Sequence, residues 1–392
     1  MLGVDVDTKT ITTEANGHLN GWRNLPYPPQ IAPSNVWADH IAANLVPLQS
    51  LSADELIDRV TGTNATSEPT TTDNPIFKKV LAAQKRWLED YGHPLGSFPS
   101  YLQESALAAP NVVTTSDDRL VSTAFLYFLC IATQIREMAP KMDFVFELGS
   151  GYGGTARVLK LMSPGTKMVL CDLPETLYLC YVYLRRHFPH CTFDVLQPGA
   201  KLPTQDKAAD FTFVPCQLAG QLAGASFDVV MNTCSLSEMT QSAADWYLQL
   251  IEKNMTVDYF FHLNRIGTPE ELRNCCSTSF NLDRRWEVLK WQWRDAKNFY
   301  NASYPNYPWL LNLVLRRIPE SIESDLLYAS MVKSLRSRLA EVEQGSDDWH
   351  ATLWNLIRLD RKGADIQAYL KVVRSLRWRE VEFYEAILKE AA

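Results

Sequence analysis

Across residues 143–263 the chain alternates short, almost continuous apolar runs with longer stretches whose apolar residues recur every three or four positions. Strands are predicted over 143–148, 167–172, 192–196, 211–215, 227–232 and 257–263, with helices over 154–162, 174–188 and 242–254 between them. Apolar strands joined through helices imply a parallel sheet buried on both faces, an α/β doubly wound architecture. Two more strand-like runs, 285–293 and 309–317, have no long helix between them, so they are expected to form an antiparallel pair ending that sheet.

Outside this stretch the pattern changes. Residues 1–50 are rich in Pro, Asn and Thr, hold no sustained period, and are expected to form an extended arm. Ser52-Ala-Asp-Glu55 reads as a capping box before Leu56, Ile57 and Val60, and 75–91 keeps helical spacing through Val80, Leu81, Trp87 and Leu88. The run 120–138 is a buried helix, because Ser122, Thr123 and Thr133 interrupt it too often for a membrane span. Residues 51–140 are therefore expected to be a helical unit. Its linker, 92–118, carries Pro94, Pro99 and Pro110 and either folds over the cofactor mouth as a lid or simply packs on the body. The α/β domain is expected over 141–319 and a helical extension over 320–392, with helices at 322–342, 347–360 and 364–388. Trp349, Leu353, Trp354, Ile357, Tyr369, Val373, Leu376 and Tyr384 give that extension apolar faces, which pack on the body or build a homo-oligomer.

Charge and composition narrow the partners. A formal charge of -7 over 392 residues, with no clustered Lys/Arg run, argues against a nucleic-acid backbone. The N-terminus lacks the order of a secretion signal, so a cytoplasmic protein is expected, with no membrane partner. The eight cysteines form no C-x-x-C pair and the histidines show no ligand spacing, so reduced thiols and no metal are expected.

The chemistry is concentrated in Glu147-Leu-Gly-Ser-Gly-Tyr-Gly-Gly154, where an apolar strand runs through spaced glycines into a helix. Gly149, Gly151 and Gly153 allow close approach of a nucleotide-type cofactor, with Ser150 and Tyr152 between them. The letters satisfy both the dinucleotide fingerprint, through Gly149, Gly151 and Gly154, and an acid-x-G-x-G-x-G form beginning at Glu147. A carboxylate at the strand end suits a cation such as S-adenosylmethionine and would repel the pyrophosphate of NAD or FAD. Asp172 ends the next strand, nineteen positions after Gly153, where an acid can accept from ribose hydroxyls. Leu173, Gln217 after the 211–215 strand and Asn232 at the end of 227–232 complete the expected cofactor set.

Two ionisable residues follow later strands. His262 is a candidate general base, since a free imidazole ordinarily titrates near neutrality, with a hydrogen-bonded strand-end histidine as the plainer role. Glu238, on the loop that follows Asn232, is the second candidate; Ser235 and Ser237 beside it are suited to capping. The loop 297–309, dense in aromatics and amides, suits an acceptor with hydroxyls or simply fills the hairpin's underside.

With Glu147-Leu-Gly-Ser-Gly-Tyr-Gly-Gly154, Cys171-Asp-Leu-Pro-Glu-Thr-Leu177, Leu184-Arg-Arg-His-Phe-Pro189 and Ser235-Leu-Ser-Glu-Met239 in this order, the stretch 140–317 resembles the sugar O-methyltransferase family of polysaccharide and antibiotic biosynthesis. The resemblance implies a class I, Rossmann-like methyltransferase using S-adenosylmethionine on a hydroxyl of a sugar, glycoside or related secondary metabolite. An NAD-dependent oxidoreductase or epimerase, and a non-catalytic methyltransferase-like scaffold, stay open beside it.

Overall fold

A computed structural model of the chain describes residues 7–33, 35–60, 75–106, 112–265, 285–295, 309–318 and 324–344, and beyond them 346, 349, 352–353, 355–356 and 367. The chain divides into two compact units, one running through Asp228 and the other beginning at Val229. The N-terminal helices share a unit with the glycine loop, and the cut falls inside a strand of the α/β region.

The first unit opens on α1 (Thr8–Arg23), where an extended arm was expected. Asp7 caps it by accepting the Lys9 N–H, and Ile11, Ala15, Leu19 and Trp22 form one buried stripe. That stripe is only four residues deep among threonines, glycines and asparagines, so helical period was masked by polar composition. Helices α2 (Asn35–His40), α3 (Ala53–Val60) and α4 (Pro75–Asp90) follow. The capping box is formed: the Ser52 N–H donates to Glu55 Oε2 at 2.8 Å while the Glu55 N–H donates to Ser52 Oγ at 3.3 Å. A short antiparallel pair, β1 (Val113–Thr114) and β2 (Leu120–Val121), leads into α5 (Thr123–Met138), which Ser122 caps through the Phe125 N–H.

The parallel sheet then runs β3 (Phe144–Leu148), α6 (Gly154–Met162), β4 (Lys167–Asp172), α7 (Pro174–His187), β5 (Phe193–Val195) and β6 (Phe211–Pro215). Its strands pair in the order β5-β6-β4-β3, all parallel, with Leu148 beside Cys171 and Asp172 beside Pro215. The C-terminal ends of β3, β4 and β6 therefore lie at one edge. Helix α1 packs on α7, and α5 packs on α6.

The described parts of the linker are 92–106 and 112–118, and the first is tied to the residues around it. The buried Arg119 guanidinium donates to the carbonyls of Leu95, Phe98 and Leu102, and buried Glu104 takes Arg157 at 3.3 Å and the Ser122 hydroxyl at 2.6 Å. Moving this segment would break these buried ion-pair and hydrogen-bond contacts.

The second unit holds the end of β7 (Ser226–Thr233), α8 (Gln241–Gln249) widening into a looser turn over Leu250–Asn254, β8 (Thr256–Arg265), β9 (Trp286–Asp295), β10 (Trp309–Arg317) and α9 (Ser324–Glu341). The expected antiparallel pair is present: β10 lies between β8 and β9 and is antiparallel to both. Beyond α9, Trp349, Leu353 and Leu356 are buried, and the Asn355 amide pairs with both backbone groups of Val288 on β9, at 3.0 and 3.1 Å. An amide side chain thus occupies the free edge of β9, so this part of the extension packs on its own unit. The rest of the helices expected over 347–360 and 364–388, and the aromatic loop 297–308, lie outside the described residues. Among the described residues no helix is long and apolar enough to cross a membrane, and no group of side chains gathers as a metal site.

Candidate functional site

The glycine loop is built by three left-handed residues in alternation, Gly149, Gly151 and Gly153, at φ +75°, +54° and +90°. The Gly149 N–H donates to the Cys171 carbonyl at 2.7 Å, and the Gly153 N–H donates to the Ser150 carbonyl at 3.0 Å, so the loop folds back over the end of β4. The glycines divide by what surrounds them. A Cβ on Gly153 would stand 2.9 Å from Cys180 Sγ, and one on Gly154 would stand 2.1 Å from the Phe128 ring, so both are required by packing of α6. A Cβ on Gly151 would meet nothing within 4 Å. Gly151 is where the loop leaves room for a ligand.

Asp172 closes the loop from the neighbouring strand. Its Oδ2 accepts the Gly151 N–H at 2.8 Å and its Oδ1 accepts the Leu173 N–H at 2.7 Å. Leu173 caps α7, whose first residue is Pro174. Glu147, by contrast, is 1% exposed and its Oε2 has no hydrogen-bond partner. Burial first, and then the negative charge of Asp172, push its carboxyl well above the usual range, against a hydrogen bond with Thr155 that pulls it down. A buried acid with an unpartnered oxygen, facing a second carboxylate, is a place that a cationic group would relieve.

Several residues expected at the cofactor have side chains packed or bonded to other parts of the protein. The Tyr152 ring is buried between Phe128 and Tyr183, with centroids 5.8 and 5.0 Å away, so its side chain is core. Ser150 is buried beside Cys180. Gln217 is buried and donates its Nε2 to the Trp22 carbonyl at 3.3 Å, so it braces the N-terminal segment. That segment brings in residues the sequence reading missed. Arg23 Nε stands 2.8 Å from Glu175 Oε1, and Tyr27 lies close enough to Cys216, Glu175 and Asp172 for each to act on its phenol. Burial raises the Tyr27 phenol, with Cys216 and the two acids adding to it. The one available signal was Trp22-Arg23 at the end of the Ile11, Ala15, Leu19 spacing.

In the second unit, Asn232 is a structural hub. Its Oδ1 accepts from Asn264 Nδ2 at 2.9 Å and from the Leu236 N–H at 3.3 Å, and its Nδ2 donates to Ser235 Oγ. Ser237 bonds Asn264 and the Cys234 carbonyl, so both serines hold the turn, while the cap of α8 expected of them is made by Thr240, which accepts the Ala243 N–H. Cys234 adopts φ +65°, a left-handed conformation that costs a side-chain-bearing residue of the order of 1 kcal/mol and marks this turn as tightly specified. His262 does not end its strand. It lies within β8, opposite Leu313, fully buried with Nδ1 3.5 Å from Asn264 Nδ2 and its ring beside Phe260. Strand β8 runs three residues past it because β10 extends the ladder to Arg265. Glu238, ending the short turn Leu236–Glu238, is partly exposed. Of the two candidate bases, Glu238 is the one that solvent reaches.

No family model and no curated protein matches the chain. Among solved structures, the N-terminal domain of EvdMO1, crystallised with SAH and D-fucose, aligns at 13% identity and a TM-score of 0.33, covering 63% of this chain and 100% of that one. Magnesium protoporphyrin IX methyltransferase from Synechocystis, with bound SAH, aligns at 11% and 0.35, covering 50% and 85%. The 1,6-didemethyltoxoflavin-N1-methyltransferase of Burkholderia thailandensis aligns at 14% and 0.34, covering 49% and 79%. Overlaps this loose assign no family.

Proposed function

We propose that the chain is an S-adenosylmethionine-dependent methyltransferase that alkylates a hydroxyl oxygen, its acceptor being a sugar, a glycoside or a related secondary metabolite. The observation that carries this reading is the acidic pair of Glu147 and Asp172 around a glycine loop whose Gly151 opens onto room for a ligand. The residues fit the cofactor. Glu147, buried and lacking a partner for Oε2, suits its ammonium group; Asp172 suits the ribose; Gly151 lets the chain approach. A dinucleotide would bring a pyrophosphate, not a cation, to the unpartnered oxygen of Glu147.

When bound, the cofactor supplies an electrophilic methyl group. This chain's residues hold it and receive a proton from the acceptor. Glu238 is the base that suits this role, because an acid on a partly exposed turn can meet a hydroxyl, while His262 is enclosed by its sheet. The hydroxyl acceptor is supported by the resemblance carried by Cys171-Asp-Leu-Pro-Glu-Thr-Leu177 and Ser235-Leu-Ser-Glu-Met239.

The test is group transfer. Full-length protein is incubated with S-adenosylmethionine labelled in its methyl group and with free sugars, nucleotide-activated sugars and glycosides. Label recovered as a methyl ether supports the reading. Label recovered only on nitrogen or carbon overturns the hydroxyl acceptor, and oxidation of the same sugars with NAD in place of transfer overturns the class.

A further inference from the structure

We propose that residues 22–27, at the end of α1 and just beyond it, roof the nucleoside end of the ligand site, and that Tyr27 is a ligand-contacting residue. The proposal rests on the methyltransferase reading above and adds a part of the site that no glycine or acid motif marks.

The placement follows from α1. Its buried stripe of Ile11, Ala15, Leu19 and Trp22 packs the helix on α7, and the Tyr181 hydroxyl donates to Glu14 at 3.0 Å from the α7 side. The helix therefore delivers its C-terminus to the edge where β4 and β6 end. In a parallel sheet, ligands bind at the carboxyl ends of the strands. Asp172 and Pro215 are register partners at those ends, so Cys216 follows immediately beside the acid.

Two anchors hold the segment there. The Trp22 carbonyl accepts the Gln217 amide at 3.3 Å, and Arg23 pairs with Glu175 at 2.8 Å, in the first turn of α7. Both are modest. Arg23 keeps about a third of its side chain exposed (35%), so its ion pair is screened by solvent and holds the segment weakly. Weak anchors suit a cover that has to open for ligand exchange.

Tyr27, four residues beyond Arg23, then lies near Cys216, which follows the register partner of Asp172, and near enough to the Glu175 and Asp172 carboxylates for both to raise its phenol. It is only half-buried, so part of the ring is available for contact. An aromatic face serves a purine by stacking, and a phenol next to Asp172 is placed to share the hydroxyls of a ribose. Gln217, which sequence reasoning set against the base, becomes the pillar under this roof.

The experiment uses the full chain, S-adenosylhomocysteine as probe, calorimetry for Kd and stopped-flow fluorescence for the dissociation rate. Tyr27→Ala is expected to weaken binding by about tenfold or more, with Tyr27→Phe losing less because it keeps the ring. Arg23→Ala, at a part-exposed position, is expected to speed dissociation by releasing one anchor. It keeps the question open to test should Tyr27→Ala fail to fold. Wild-type Kd and dissociation rate in Arg23→Ala and Tyr27→Phe, and in any folded Tyr27→Ala, would overturn the roof and leave the methyltransferase reading standing. Absence of binding by the wild-type protein would overturn both.

Discussion

The carboxylate of Asp172 accepts the backbone N–H of Gly151 at 2.8 Å, across the gap between the end of β4 and the loop that follows β3. One acid thereby fixes the loop's shape at the glycine that faces open space, and its second oxygen holds the start of α7. Asp172→Ala is expected to lower unfolding free energy by about 1–3 kcal/mol, since two backbone donors lose their acceptor, and to weaken cofactor binding as well. Urea denaturation and calorimetry read the two effects apart. Lost stability with unchanged affinity would make Asp172 a brace and remove the ribose from its role.

Gly151 and Gly154 should fail in opposite ways. Gly151→Val costs fold stability about 1–2 kcal/mol for its left-handed backbone, yet its side chain has room, so the protein folds and loses cofactor affinity. Gly154→Ala places a methyl 2.1 Å from the Phe128 ring and is expected to lower the melting temperature; a smaller residue at Phe128 should restore part of it. Circular dichroism melts with and without S-adenosylhomocysteine distinguish the two. Full affinity in a folded Gly151→Val protein would take the loop out of the site.

Glu147 links the site to pH. Its carboxyl in the folded protein sits well above the unfolded value of about 4.3, so the fold binds a proton that the unfolded chain releases. That contribution to stability is complete below the unfolded value and is lost as pH rises toward the folded one. Glu147→Gln, which cannot ionise, should therefore melt higher than wild type at neutral pH, with the gap widening from pH 5 upward. The same substitution should weaken S-adenosylmethionine binding and flatten the rise of wild-type affinity with pH. A variant that is more stable and binds as tightly would show that no cation rests on Glu147.

The strands and helices from Phe144 to Arg317 were legible within a residue or two, because buried parallel strands are continuous apolar runs and the helices between them carry clear apolar periods. The glycine loop and Asp172 were legible from spacing. What was not legible depends on tertiary partners. Helix α1 hides a short apolar stripe among weak helix formers and is stabilised by packing on α7. Tyr152 and Gln217 sit in motif positions, yet one joins a ring cluster and the other supports a segment nearly two hundred residues away. His262 looked terminal because β8 turns polar at Asn264 and Arg265; the β10 ladder carries the strand through both.

The base is assigned by a pair of substitutions. Glu238→Gln is expected to bind cofactor normally and lose about 10²–10⁴-fold in turnover, while His262→Ala is expected to lose stability through its buried contacts with Phe260 and Asn264. Steady-state rates at saturating cofactor, with melting temperatures alongside, check both. A folded His262→Ala protein that loses turnover while Glu238→Gln keeps it would transfer the role to the histidine.

The central claim is that the acidic glycine loop holds S-adenosylmethionine. Isothermal titration of the full-length protein with S-adenosylhomocysteine and, separately, with NAD tests it most directly. The account predicts saturable binding of S-adenosylhomocysteine that Asp172→Ala and Gly151→Val weaken, with no heat from NAD under the same conditions. Saturable binding of NAD with none of S-adenosylhomocysteine would contradict it.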